Sequence, residues 1–133
     1  MKRALSILAT APTFFIVVAI AIHAQKPLRI TGTYSNMYFN EEGGDVSGEE
    51  LKIVLACKGY QGALQFAQGV PSDLVVVDVK VDGTKVTFSI PERSEYPGRF
   101  RGIVENGVLK GKFSFANGAS EEVKLKRGKS YWD

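Results

Sequence analysis

The chain has 133 residues, 17 Lys and Arg against 14 Asp and Glu, one histidine and one cysteine. That length fits one domain. A lone cysteine excludes an internal disulfide, and a basic patch without interleaved aromatics argues against nucleic acid, a point on which global charge is silent.

The first element in chain order is a leader. Lys2 and Arg3 precede an apolar run to Ile22 that ends in "AIHA". A basic start, an apolar stretch and a small-residue exit predict a secretory signal peptide over 1–24, cleaved after Ala24. The alternative is a retained anchor, since Ala4 to Ile22 approaches a membrane-spanning length. Cleavage places the protein in the periplasm or outside the cell. It also removes His23, Lys2 and Arg3, leaving 17 − 2 = 15 cations against 14 carboxylates.

The remaining chain, 25–133, reads as short alternating runs over 28–35, 50–58, 60–67, 73–81, 84–90, 99–105, 108–115 and 121–127. Turn signals recur about every ten residues, and no stretch keeps a helical period. The fold class is therefore all-β. The predicted architecture is an eight-stranded antiparallel up-and-down barrel, which removes exposed edges, with a β-sandwich as the alternative. The buried-thiol habit of cysteine predicts Cys57 inside.

Two turns predict registers. Asp82-Gly83 as a hairpin loop pairs Val79 with Val86, Val81 with Thr84 and Lys80 with Lys85. Asn106-Gly107 pairs Val104 with Leu109, Phe100 with Phe113 and Gly102 with Gly111. At the third hairpin a two-residue loop would turn Val123 and Leu125 outward. An odd loop, Asn117 to Ala119 with a bulge at Gly118, keeps them inside and pairs Phe113 with Val123 and Gly111 with Leu125. Gly62, Gly102 and Gly111 on apolar faces suit the strand bends of a barrel.

In such a barrel alternate connections share an end. The connections at Gly59, Asp82-Gly83 and Asn106-Gly107 are minimal, while 36–49, 68–72, 91–98 and 116–120 are long. One end is tightly closed and the other is a mouth, where function would sit on loops. Asn36, Met37, Tyr38, Phe39, Arg93 and Tyr96 are the predicted lip of a small apolar or amphipathic ligand site. The same side chains could instead plug a barrel whose bulky interior leaves no room.

Glu41, Glu42, Asp45 and Glu49 are oxygen donors of the kind calcium takes, but their spacing lacks the EF-hand pattern. A solvated loop is the alternative, and no cofactor is predicted. The mature chain holds no histidine, no Gly-x-Ser-x-Gly elbow and no phosphate loop, so a non-enzyme is expected. A carboxylate pair such as Glu42 with Glu95 is the remaining acid–base arrangement.

On the predicted outer face Arg101 opposes Lys112, Lys112 opposes Lys124, and Lys110 opposes Lys126. Repeated like-charge pairs cost a fraction of a kcal/mol each. They point to an anionic envelope surface, lipid or glycan, as an alternative partner to the mouth ligand. Solubility is the other reading of the same lysines.

Gly32-Thr33-Tyr34 on the first strand and Leu125-Lys126-Arg127 on the last resemble the calycin group, the lipocalin- and avidin-type barrels. That resemblance implies that Arg127 stacks on the Tyr34 ring and closes one end. In those families the aromatic is Trp, and here it is Tyr. The run "GTYSN", "NEEGGD" and "KSYW" also resembles small exported bacterial proteins. The expected function is thus a non-catalytic exported binding module.

Overall fold

The computed structural model of the chain describes residues 29–133. The predicted leader lies outside the described residues. Nine strands form: β1 (Gly32–Ser35), β2 (Tyr38–Asn40), β3 (Asp45–Ala56), β4 (Gly59–Pro71), β5 (Val75–Asp82), β6 (Lys85–Ile90), β7 (Gly98–Glu105), β8 (Val108–Phe115) and β9 (Ser120–Gly128). Their order is β1-β9-β8-β7-β6-β5-β4-β3-β2, and β1 also pairs with β3. Eight strands, β1 and β3 to β9, therefore close an antiparallel barrel, and β2 is an addition outside the ring.

The addition corrects the predicted long loop at 36–49. Ser35 pairs with Glu50 and Tyr38 with Ser47, so β1 and β2 keep one register along β3. They are a single strand interrupted at Asn36 and Met37. The cause is Gly48, whose φ of 111° no β-carbon tolerates well. A Cβ there would also lie 2.8 Å from the Asn36 carbonyl oxygen. The turn itself is only Glu41 to Gly44, pinned by Gly44 N donating to the Asn40 carbonyl at 2.8 Å and by the Asn40 side chain accepting from Glu42 and Gly43.

The interior is filled from end to end. Tyr34, Leu51, Leu64, Val77, Val86, Phe100, Val104, Leu109, Phe113 and Leu125 are all at most 1% exposed. Phe88 stacks on Phe100 with centroids 5.0 Å apart, and Phe100 meets Phe113 at 4.8 Å. The Gly102–Gly111 pair explains how three rings fit. Phe100 lies across it, and a Cβ on Gly102 would stand 2.7 Å from Phe100 Cζ. The glycines make room for a ring.

One end closes as the Gly32, Tyr34 and Arg127 pattern leads one to expect. The Tyr34 hydroxyl donates to the Ile30 carbonyl at 2.7 Å and accepts from Arg127 Nη2 at 2.6 Å. The guanidinium carbon stands 5.2 Å from the Tyr34 ring centre. Gly32 lies beneath the same side chain, 3.3 Å from Arg127 Nε to a built Cβ.

After β9 the tail does not stay at that end. It reaches the outer face of β3, where Ser130 Oγ and Tyr131 N donate to the two oxygens of Glu50 at 2.6 and 2.8 Å, and Trp132 Nε1 donates to Gln65 at 2.9 Å. Glu50 is buried by this tail. Replacing it with alanine strands two donors and is expected to cost about 1–3 kcal/mol. Urea titration would read the loss, and Trp132, the sole tryptophan, would report the freed tail by a red-shifted emission. An unchanged midpoint would rule the clip unimportant.

Further sequence expectations need correction. Cys57 is exposed, because it occupies the β3–β4 turn rather than a strand. The β5–β6 loop is Gly83-Thr84, with Val81 opposite Val86 and Lys80 opposite Thr87 rather than Lys85. The β8–β9 loop begins one residue early, at Ala116, with Gly118 at φ 87° and Phe115 N bonded to the Ala119 carbonyl. Gly111 therefore meets Val123, and Leu109 meets Leu125.

Candidate functional site at the barrel mouth

The connections 57–58, 83–84 and 106–107 close one end, and 41–44, 72–74, 91–97 and 116–119 surround the other. The expected asymmetry of the two ends holds. What differs is the composition of the mouth.

Side-chain alternation sets the top layer. Glu49 shares the inner face of β3 with Leu51 and Ile53, Gln68 that of β4 with Leu64 and Phe66, and Glu121 that of β9 with Val123 and Leu125. Phe115 has the inward parity of Phe113 on β8. Asn36, between β1 and β2, joins Glu49. Since β8, β9, β1, β3 and β4 are neighbours, these five side chains form one continuous half-rim.

Glu49 is its most constrained member. It is 6% exposed. Asn36 Nδ2 donates to its Oε2 at 2.8 Å, and Asn36 Oδ1 accepts from its backbone N–H at 2.6 Å. Among the described residues no group donates to Oε1. Burial pushes its carboxyl above the ordinary 4.5, the Asn36 hydrogen bond offsets part of that, and the Glu121 charge adds to the rise. Between 4.5 and the raised value the folded state binds more protons than the unfolded one. Stability therefore falls as pH rises through that window. Glu49→Gln keeps the acceptor for Asn36 and is expected to raise the melting temperature at pH 7 while flattening this decline. A lower melting temperature at pH 7 would contradict it.

The other half of the mouth is covered by the 91–97 loop. Ser94 ties the loop on itself through N and Oγ, both donating to the Pro91 carbonyl, at 3.0 and 2.6 Å. Tyr96 comes down from it onto Phe66, at 5.1 Å, and Phe115, at 6.4 Å. Partial burial and the adjacent Glu95 carboxylate raise the Tyr96 phenol above its ordinary value, so it stays a neutral donor. The plug of the barrel is thus Tyr96 rather than Met37, Tyr38 and Phe39.

Tyr96 stands between two open clefts. One, of about 460 Å³, runs between Glu95, Tyr96 and Pro97 on one side and Phe115 and Glu121 on the other, with Gln68 at its end. The second, of about 330 Å³, lies between Phe66, Leu74, Arg93 and Tyr96. Both are within the size range of small-molecule sites.

The predicted lip is therefore divided. Tyr96 and Arg93 line clefts, and Asn36 belongs to the rim. Tyr38 and Phe39 are exposed on the β2 hairpin, and Met37 is half-buried beside Gly48. Neither cleft reaches residues 36–39. Of the calcium candidates, Glu41 and Glu42 are exposed in the turn, Asp45 starts β3 and Glu49 points inward. Among the described residues no three such side chains gather as a ligand set. Glu42 and Glu95 share no cleft.

Sequence reasoning missed Glu49 and Glu121 as inward rim residues, and Gln68 with them. The β9 parity already placed Glu121 inside. Glu49 was hidden because 36–49 read as a loop, and a loop has no parity. The outer basic face also shifts. Arg101 opposes Lys112 as expected, but Lys112 opposes Glu122, Lys110 opposes Lys124, and Lys126 opposes Val108. No protein-family model, curated protein or solved structure matches the chain, and the site is read from its own geometry.

Proposed function

We propose that the protein is a non-catalytic, exported binding module that takes a small molecule in the mouth cleft between the Tyr96 loop and the β8–β9 rim. The observation that carries this is the cleft itself. Aromatic and proline walls face inward-directed polar side chains there, above a barrel too full to admit anything deeper. Export rests on the leader read in the sequence. The Arg127–Tyr34 closure supports a calycin-like reading of the barrel. The test is an amide chemical-shift screen with a fragment library. Hits should move 68, 95–97 and 115–121 together, and Tyr96→Ala should abolish them. Shifts scattered over the surface, or confined to the β5–β7 wall, would sink the reading.

A specific observation favours a second reading, docking on anionic lipid or glycan. Arg101 beside Lys112 and Lys110 beside Lys124 are direct like-charge neighbours. Among the described residues the one ion pair is Lys110 with Glu105, at 3.3 Å. A shallow concavity of about 850 Å³ over β5 to β7 is bordered by Lys80, Lys85, Arg99 and Arg101. Co-sedimentation with anionic vesicles that disappears in high salt would support this surface. Equal recovery with neutral vesicles would remove it.

A further inference from the structure

We propose that the ligand of the mouth cleft is a small organic cation, a quaternary or alkylated ammonium. This rests on the mouth being the binding site and adds the chemical class.

The charge is distributed unequally along the barrel. The mouth connections and rim carry Glu41, Glu42, Asp73, Glu92, Glu95 and Glu121, and the cation among them is Arg93. Arg93 borders the smaller cleft and not the larger one. The larger cleft is therefore lined by two carboxylates, Glu95 and Glu121, with no basic side chain in its wall. Like-signed low-dielectric walls focus the field and favour a ligand of opposite charge.

A second feature is independent of that count. Glu49 is 6% exposed and reaches the same half-rim from β3, with Oε1 unpartnered among the described residues. Glu49 stands behind the larger cleft rather than in its wall, and its Oε1 is not a buried unpaired atom. Asn36 satisfies one oxygen only. The Glu121 charge also repels Glu49, so a cation held beside Glu121 would offset that repulsion.

The apolar wall selects the kind of cation. A hard metal ion asks for six or more oxygens, and no three carboxylates gather among the described residues. Tyr96 and Phe115 offer ring surfaces instead, with centroids 6.4 Å apart. Ring faces attract an alkylated nitrogen, and alkyl groups shed water easily against Pro97 and Phe115. A cleft of about 460 Å³ accommodates such a molecule without entering the filled core.

The experiment compares choline with its neutral isostere, 3,3-dimethyl-1-butanol, by amide chemical-shift titration of the purified protein. Choline should shift the amides of Tyr96, Phe115 and Glu121 and bind about tenfold or more tighter than the alcohol. Glu121→Gln, an exposed and isosteric change, should weaken choline about fivefold and leave the alcohol unchanged. Equal binding of both molecules at the mouth would overturn the cation assignment and leave the mouth as a binding site. Choline shifts confined to other surfaces, or none up to about 50 mM (far weaker than any aromatic–carboxylate cage), would also overturn it. In that case the fragment screen decides separately whether the mouth binds anything.

Discussion

Gly111→Val should be among the most damaging single changes in this chain, costing about 3 kcal/mol or more. Gly111 lies on the inner face of β8, opposite Gly102 on β7. A Cβ there would press into Phe100 Cζ and stand 2.6 Å from the Arg101 carbonyl oxygen and 2.8 Å from Gly102 Cα. An empty barrel would let the ring move aside, but Phe88 and Phe113 pack against it at 5.0 and 4.8 Å. Overpacking a close-packed core typically costs 1–3 kcal/mol, and backbone atoms cannot rotate away. Valine adds two methyls to the same blocked volume. The check is a double-mutant cycle by urea denaturation with Phe100→Ala, itself expected to lose about 3–5 kcal/mol. In the Phe100→Ala background the added cost of Gly111→Val should shrink, since the ring it strikes is gone. Identical costs in both backgrounds would mean that the glycines serve the backbone alone.

Tyr34→Ala should lose about 3–5 kcal/mol, the range for removing a fully buried aromatic. Tyr34 is 0% exposed. Its hydroxyl links Arg127 to the Ile30 carbonyl, and its ring underlies the guanidinium. Tyr34→Phe separates the two contributions. It keeps the ring and removes the hydroxyl, leaving a half-buried guanidinium and a carbonyl short of a partner, for about 1–3 kcal/mol. Arg127 Nε is already buried without a partner, so losing the hydroxyl removes the one side-chain acceptor the guanidinium has among the described residues. Arg127→Met combined with Tyr34→Phe should be milder than the sum of the two, because the apolar pair leaves no charge behind. Strict additivity would argue against a coupled closure.

Much of the barrel was legible in the chain because alternation reports faces. Phe100, Gly102 and Val104 pair with Phe113, Gly111 and Leu109 as Asn106-Gly107 dictates, with Asn106 at φ 51° and Gly107 at φ 73°. Alternation does not report a slip of two residues, which returns every side chain to its own face. The β5–β6 and β8–β9 registers each slipped by two for that reason, and the interior residues remained interior. The outer residues likewise kept their face, but a slip of two changes who stands opposite whom, and so the lysine rows changed partners. At β5–β6, Gly83 takes the first loop position at φ 58°, which fits the turn type that wants glycine there.

The mouth was less legible. Five carboxylates and three glycines between Glu41 and Glu50 read as solvated chain, yet most of that stretch continues the β1–β2–β3 ladder. Strand pairing overrode composition because β4 extends to Pro71 and supplies a partner as far as Val46. The burial of Glu50 depends on a tail eighty residues downstream of it, as the Ser130 bond shows. Nothing local signals that.

The seam between β1 and β9 has consequences for how the barrel assembles. Only three residue pairs join them, Thr33–Gly128, Tyr34–Arg127 and Ser35–Lys126, and the Tyr34–Arg127 bond spans 93 positions. Every other neighbouring pair in the ring is a hairpin or the β1–β3 ladder, each closing a far shorter loop. Loop entropy rises with length, and so the seam forms after the hairpins, when the ends of a nearly complete sheet are brought together. Contacts made after the rate-limiting step change the rate of opening more than that of folding. The tail clip on Glu50 passes beyond β1 to β3 and fastens this last-made joint from outside. Its contribution is to how long the barrel stays shut.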